Sequence, residues 1–197
     1  MSSVLDTPTT GFELERLLDE RRAELVDGEI VEVEMGWESE WVAMNLAAIL
    51  WAYCRSNGGW VNGSNASYQC FQEAVPNDPL RIRKPDVSYI APGRLTRAGM
   101  PTGHCTLVPD LVAEVVSPSD QYADIIEKVE EYLRAGVTLV WVVEPFTETI
   151  AVHRRDGSVS HLRRNDSLSG ESVIPGFQCT LTELFPDDDQ TEAGGPQ

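Results

Sequence analysis

Along the chain the apolar positions change period several times, and each change marks an element. From Ala23 to Met35 the run AELVDGEIVEVEM alternates apolar and polar residues around Asp27-Gly28. Period-two alternation buries one face of a strand, and Asp-Gly suits a tight turn, so a β-hairpin is predicted. Upstream, Thr10 is placed to cap a short helix, GFELERLLDE. Glu38 to Arg55 switches to helical spacing, with Trp41, Met44, Leu46, Ala48, Ile49 and Trp51 as a broad apolar face. Asn57-Gly58-Gly59 ends that helix. Strands are predicted at WVNGS, at SYQCFQEAV and at DVSYIA after Pro85, followed by a Gly/Pro/Thr-rich loop to Pro109. LVAEVV is the next strand, Ser117 to Asp120 starts a helix, and Ala135-Gly136 stops it. VTLVWVVEP is a second buried strand, and TIAVHRRDGSVSHLRR is a hairpin turning at Asp156-Gly157.

Two continuous apolar strands joined by a helix read as a crossover between parallel central strands. The predicted fold class is α/β: a mixed β-sheet with two long helices, both on one face, and flanking β-hairpins. Residues 1–10 read as an N-terminal extension and 11–185 as one domain. Residues 186–197, PDDDQTEAGGPQ after its opening proline at 186, read as a disordered acidic tail.

Charge narrows the function classes. Fifteen Lys+Arg stand against 32 Asp+Glu, a formal net charge of −17. A field of that sign repels nucleic acid and anionic lipid, which argues against a general DNA-coating protein but leaves room for a metal-loaded acidic site. Cys54, Cys70, Cys105 and Cys179 have neither metal-finger nor redox spacing and are expected as free core thiols. The N-terminus lacks a basic flank and an apolar stretch, and the longest apolar run, VTLVWVV, is too short to span a bilayer. A cytoplasmic protein with no membrane partner is the expectation.

One residue breaks the pattern. Glu114 sits inside the apolar strand LVAEVV, and burying an unpaired carboxylate costs on the order of several kcal/mol or more. Asp86, after Pro85, begins another strand. If the two strands pair, both acids converge and suit a hard cation, Mg²⁺ or Mn²⁺, which would offset the burial of Glu114. Plainer readings stand beside this one. Glu114 can be a structural acid bonded to a neighbouring hairpin, Asp86 can cap a turn, and Asp110 is a rival first acid. Arg81, Arg83 and Lys84 can guard an edge strand or hold DNA phosphates. Arg154, Arg155, Arg163 and Arg164 read as a solvated face.

Pro-Asp, a gap, and then an acid in an apolar strand is the skeleton of the PD-(D/E)xK nucleases. AELVDGEIVE, RKPDVSYI, PDLVAEVVSPSD, EKVEEYLRAGVTLVWVVEP and VIPGFQCTLTELF, in that order, resemble the Uma-type family of restriction endonucleases from about Phe12 to Phe185. The resemblance implies a restriction-endonuclease-like fold and metal-dependent hydrolysis of duplex or single-stranded DNA, with a homodimer to cut both strands. Asp86 and Glu114 match the two acids and would be the metal ligands. The usual lysine position, two residues after Glu114, holds Val116. Lys128, in the crossover helix, is the migrated counterpart and third catalytic residue, unless it is a solvated lysine paired with Asp124 or Glu131. Gln121 shares its stripe, and Glu24 matches the family's early acid; both are accessory candidates. Trp41 stands where similar sequences carry a histidine. With Val116 and Trp41 marking lost chemistry, a catalytically inactive binding or regulatory module is the alternative.

Overall fold

The structure, a computed structural model, describes residues 16–18, 20–21 and 23–186. Thr10 as a helix cap, the extension 1–10 and the tail beyond Pro186 lie outside the described residues. In chain order the elements are β1 (Ala23–Val26), β2 (Glu29–Glu32), α1 (Trp37–Asn57), β3 (Trp60–Gly63), β4 (Val87–Ile90), β5 (Leu111–Val115), α2 (Tyr122–Ala135), β6 (Leu139–Glu144), β7 (Thr149–Arg154), β8 (Val159–Arg163), β9 (Ser167–Ser169) and β10 (Gln178–Thr180).

Six of these strands form one mixed sheet in the order β3-β4-β5-β6-β7-β8. Only β5 and β6 run parallel, with Glu114 opposite Val142, and α2 makes the crossover between them. The other neighbours are antiparallel. The predicted hairpins form: β1 pairs with β2 through Asp27 and Gly28, at φ 52° and 77°, and β7 turns into β8 past Gly157 at φ 85°. Two positive φ values in succession are what a twisted two-residue hairpin turn demands. Gly136 closes α2 in the left-handed conformation at φ 110°, its N–H bonded back to Leu133 and Tyr132.

Three expectations change. The two long helices lie on opposite faces of the sheet. Alternation along β5 sends Leu111, Ala113 and Val115 into a core with Val42, Leu46 and Leu50 of α1, and sends Val112 into a core with Val129 and Tyr132 of α2. Each face of a sheet buried on both sides needs its own cover. SYQCFQEAV is not a strand: Tyr68 makes isolated bridges to Arg83 and Cys105, and the segment then turns. α1 buries Ser39, Val42, Ala43, Leu46, Leu50 and Cys54 and leaves Met44 and Trp51 exposed. That helix is apolar almost all round, so spacing could not choose its inner face.

The β1–β2 hairpin stands off the main sheet and docks on residues 81–84. Leu25 and Ile82 exchange two backbone hydrogen bonds, 3.1 and 2.9 Å, and Leu18, Ala23, Leu25 and Ile82 make a small core beneath. This docking brings Glu24 towards α2. All four cysteines are free and buried, and no helix among the described residues is long and apolar enough to cross a membrane.

Candidate active site

Glu114 takes its direction from strand parity. Its neighbours Ala113 and Val115 face α1, so Glu114 faces α2. β4 and β5 pair with Val87 opposite Ala113, and one further step along that register sets Asp86 opposite Glu114. Asp86 Oδ2 accepts a 2.7 Å hydrogen bond from the Val115 amide, which fixes the carboxylate against β5. Both acids are buried.

α2 brings two groups to Glu114 from positions one turn apart, so both project from one helix face. Tyr132 donates its hydroxyl to Glu114 Oε1 at 2.7 Å, and Lys128 Nζ lies 3.3 Å from Oε2. Lys128 also reaches Glu24 Oε1, at 3.6 Å. Glu24 is held by the Lys84 amide at 2.8 Å and by Arg83 Nη1 at 2.9 Å.

Proton affinities follow from this packing. Burial, then the Glu114 charge, pushes Asp86 well above the usual carboxylate range. Burial also raises Glu114, against the pull of Lys128. Burial would raise Glu24 too, but Lys128 and Arg83 reverse it and hold that carboxyl below its ordinary value. Lys128 is desolvated, yet Glu114 and Glu24 carry it above the usual lysine range, so it stays cationic. Burial and Glu114 raise Tyr132 well above a normal phenol, which keeps its hydroxyl a donor.

The basic trio is not a phosphate-binding strip. Arg81, Arg83 and Lys84 are all buried. Arg81 bonds Glu131, Asp78 at 2.9 Å and Asp27 at 2.6 Å; Arg83 bonds Glu131 at 2.8 Å as well as Glu24; Lys84 Nζ donates to the Leu18 carbonyl at 3.0 Å. Buried guanidiniums need partners this complete, and hairpin docking provides them. Neither an exposed edge guard nor a clamp on flanking DNA describes these residues as placed. The sequence reading missed Glu131 and Tyr132. Tyr132 was legible four residues after Lys128, whereas Glu131 read as an ordinary solvated helix charge.

Lys128 and Glu24 line a cleft of about 410 Å³ with Gln121, Asp120, Asp124 and Glu34. Gln121 is the N-cap of α2, because Ser117 to Asp120 form a turn closed by Asp120 Oδ2 on the Ser117 amide at 2.7 Å. Val116, just past β5, lines a different hollow with Trp37, Pro118 and Phe146. Its carbonyl accepts from Ser39 Oγ at 2.9 Å. Trp41 packs on the α1 core, across the sheet from Glu114. Asp110 bonds the Ala91 amide and Arg94, away from Glu114.

Among the described residues, no three His, Cys, Asp or Glu side chains are gathered as a metal cage. The donor set nonetheless fits a hard divalent cation. Mg²⁺ binds through one or two carboxylates and fills its remaining positions with water and substrate oxygens. Asp86 and Glu114 are two such groups, facing each other, with Lys128 shared between Glu114 and Glu24.

A family model described as "Putative restriction endonuclease" matches residues 12–182. No curated protein matches the chain. Among solved structures, the chain is similar to a crystal structure from Anabaena variabilis described as "a putative nuclease belonging to DUF820". The identity is 14% and the TM-score 0.71, over 84% of this chain and 90% of that one. At that identity the likeness shows a shared fold, the restriction-endonuclease-like mixed sheet described above.

Proposed function

The chain belongs to the Uma2 family, "Putative restriction endonuclease", and from that membership we propose a metal-dependent endonuclease that hydrolyses DNA phosphodiester bonds. The observation that carries the reading is the buried pair Asp86 and Glu114, set opposite each other with one of them on Lys128. The Glu114 charge raises the pKa of Asp86, burial raises both, and a divalent cation would relieve the pair. Bound there, Mg²⁺ or Mn²⁺ supplies polarisation of the scissile phosphate and a water of lowered pKa.

The chain's own groups divide the remaining work. Tyr132 holds one oxygen of Glu114 and so orients the other. Lys128 stays protonated, so it is no general base; its charge stabilises the negative charge that develops on the phosphate. Glu24, itself held by Arg83 and the Lys84 amide, positions the lysine. Gln121 stands at the cleft rim where a nucleotide strand enters. Cutting both strands of a duplex takes two such sites, which a symmetric pair of chains provides.

The test is cleavage of plasmid and single-stranded DNA in Mg²⁺ or Mn²⁺, with Asp86→Ala as control. Metal-dependent nicking by wild type and none by the variant is expected. The acidity of the cleft favours one other reading, a nuclease fold kept as a binding or regulatory module. Wild type that never cleaves any nucleic acid in Mn²⁺ would select it.

A further inference from the structure

α1 has a second apolar face. Its inner side meets the sheet, yet on the opposite side Trp37, Met44 and Trp51 are 91%, 63% and 55% exposed. Half-buried Trp41 and exposed Ala48 lie between them. Positions 37, 41, 44, 48, 51 and 55 alternate in steps of four and three, the seam along which one helix packs on another. Water-facing helices ordinarily keep such a stripe polar, and contiguous exposed apolar surface marks an interaction site.

We propose that this face is the interface of a homodimer, with α1 packed antiparallel against α1 of a second copy about a two-fold axis at the level of Leu46. The stripe complements itself in that direction. Reversal about Leu46 puts position 37 opposite 55, 41 opposite 51, and 44 opposite 48. Trp37 then meets the partner's Arg55, an indole face against a guanidinium. Trp41 meets the partner's Trp51, and long Met44 meets the partner's Ala48. Arg55 already lies over the Trp51 ring of its own helix, 5.1 Å from the centroid, so its charge stands at the seam. Glu38 and Glu40 are in the first turn and Arg55 in the last. Antiparallel packing therefore joins opposite charges and opposite helix-dipole ends, whereas parallel packing would set Arg55 on Arg55. Tryptophan, methionine and arginine are also the residues enriched at the centres of protein interfaces. A nucleic acid fits poorly, because Arg55 is the one basic residue of α1.

The inference goes beyond the proposed function: α1 lies across the sheet from Glu114, so this dimer sets its two sites on opposite outer faces, and its test reads mass rather than cleavage, so the two fail separately. Size-exclusion chromatography with light scattering of the full chain is expected to give twice the 21.8 kDa of one chain. Met44→Glu combined with Trp51→Glu should raise the dissociation constant by about a hundredfold or more, the loss expected for interface-centre residues. That variant should keep the far-UV circular dichroism of wild type, since both side chains are exposed. For the register, Met44→Cys with Ala48→Cys should crosslink the dimer on oxidation, while Met44→Cys alone should not. A monomeric wild type at about 100 μM, a concentration that reveals even weak dimers, overturns the proposal. A folded double-Glu variant that remains dimeric places the interface elsewhere and overturns it too. Crosslinking through Met44→Cys alone overturns the antiparallel register.

Discussion

Asp86 ties proton binding to stability. Its folded pKa is raised well above the ordinary 3.8, first by burial and then by Glu114. Below the unfolded value both states hold the proton. As pH rises above it, the unfolded chain releases a proton that the native chain keeps, so stability falls until the folded pKa is passed. The metal-free protein should therefore lose melting temperature as pH rises from about 4 towards neutral, and Asp86→Asn should flatten that slope. Equal slopes in the two proteins would mean that Asp86 is not strained. Millimolar Mn²⁺ should restore the loss at neutral pH, by about 2.7 kcal/mol at a hundredfold excess over Kd. Glu114→Ala should abolish the shift; the same shift in wild type and variant would put the metal elsewhere. Lys128→Ala should lower kcat by about 10²–10³-fold, by analogy with the loss of one transition-state donor, while DNA binding in Ca²⁺ survives. A variant that cleaves at the wild-type rate would remove Lys128 from the mechanism. Lys84 has a different expectation: its ammonium is buried on the Leu18 carbonyl, so Lys84→Ala should act on stability and not on KM.

At the scale of elements, the β1–β2 hairpin matters most, because it carries Glu24 and is held by ionic bonds as much as by its small core. Arg81 joins three segments: Asp27 at the hairpin tip, Asp78 in the loop, and Glu131 on α2. Removing one partner from a buried ionic cluster leaves the others uncompensated and typically costs about 3–5 kcal/mol. Arg81→Met should lower the unfolding free energy by about that much in urea titration. A loss below about 1 kcal/mol, the level of an exposed pair, would show that the hairpin is held by its apolar contacts alone. The crossover helix has its own division of labour. Val129 anchors it to the sheet, while Lys128 and Tyr132 deliver their polar ends to Glu114.

For the whole molecule, charge distribution decides how a polyanion can approach. The chain carries −17, and its buried arginines are already matched to carboxylates. Some outer ones are matched as well: Arg154 pairs with Glu171, and Arg164 with Glu148. These pairs lower the number of cations that can displace counterions from DNA. The logarithm of the binding constant in Ca²⁺ should therefore fall with the logarithm of salt at a slope of only about −1 to −3, since each phosphate contact contributes about −0.9. Chelation should weaken binding more than salt does. A slope steeper than about −6 would demand a basic track outside the cleft.

The local instructions were legible in the chain. Asp27-Gly28, Asp156-Gly157 and Ala135-Gly136 announced their turns and cap, because a positive φ is demanded within two or three residues. The apolar runs around Glu114 and Trp141 announced parallel central strands, and Glu114 stood out because a carboxylate in such a run needs a reason. Tertiary structure decided the partners. Lys84 and Glu24 are 60 residues apart, and Arg83 and Glu131 are 48 apart; no periodicity links them, and only hairpin docking and the β5–α2–β6 crossover bring them together. The same holds for faces. Three residues that looked free to grip DNA became buried ties, and the apolar helix expected to bury Met44 and Trp51 turned them outward. Spacing specifies that a surface is apolar, but which side meets the sheet depends on the shapes of all the side chains packed beneath it.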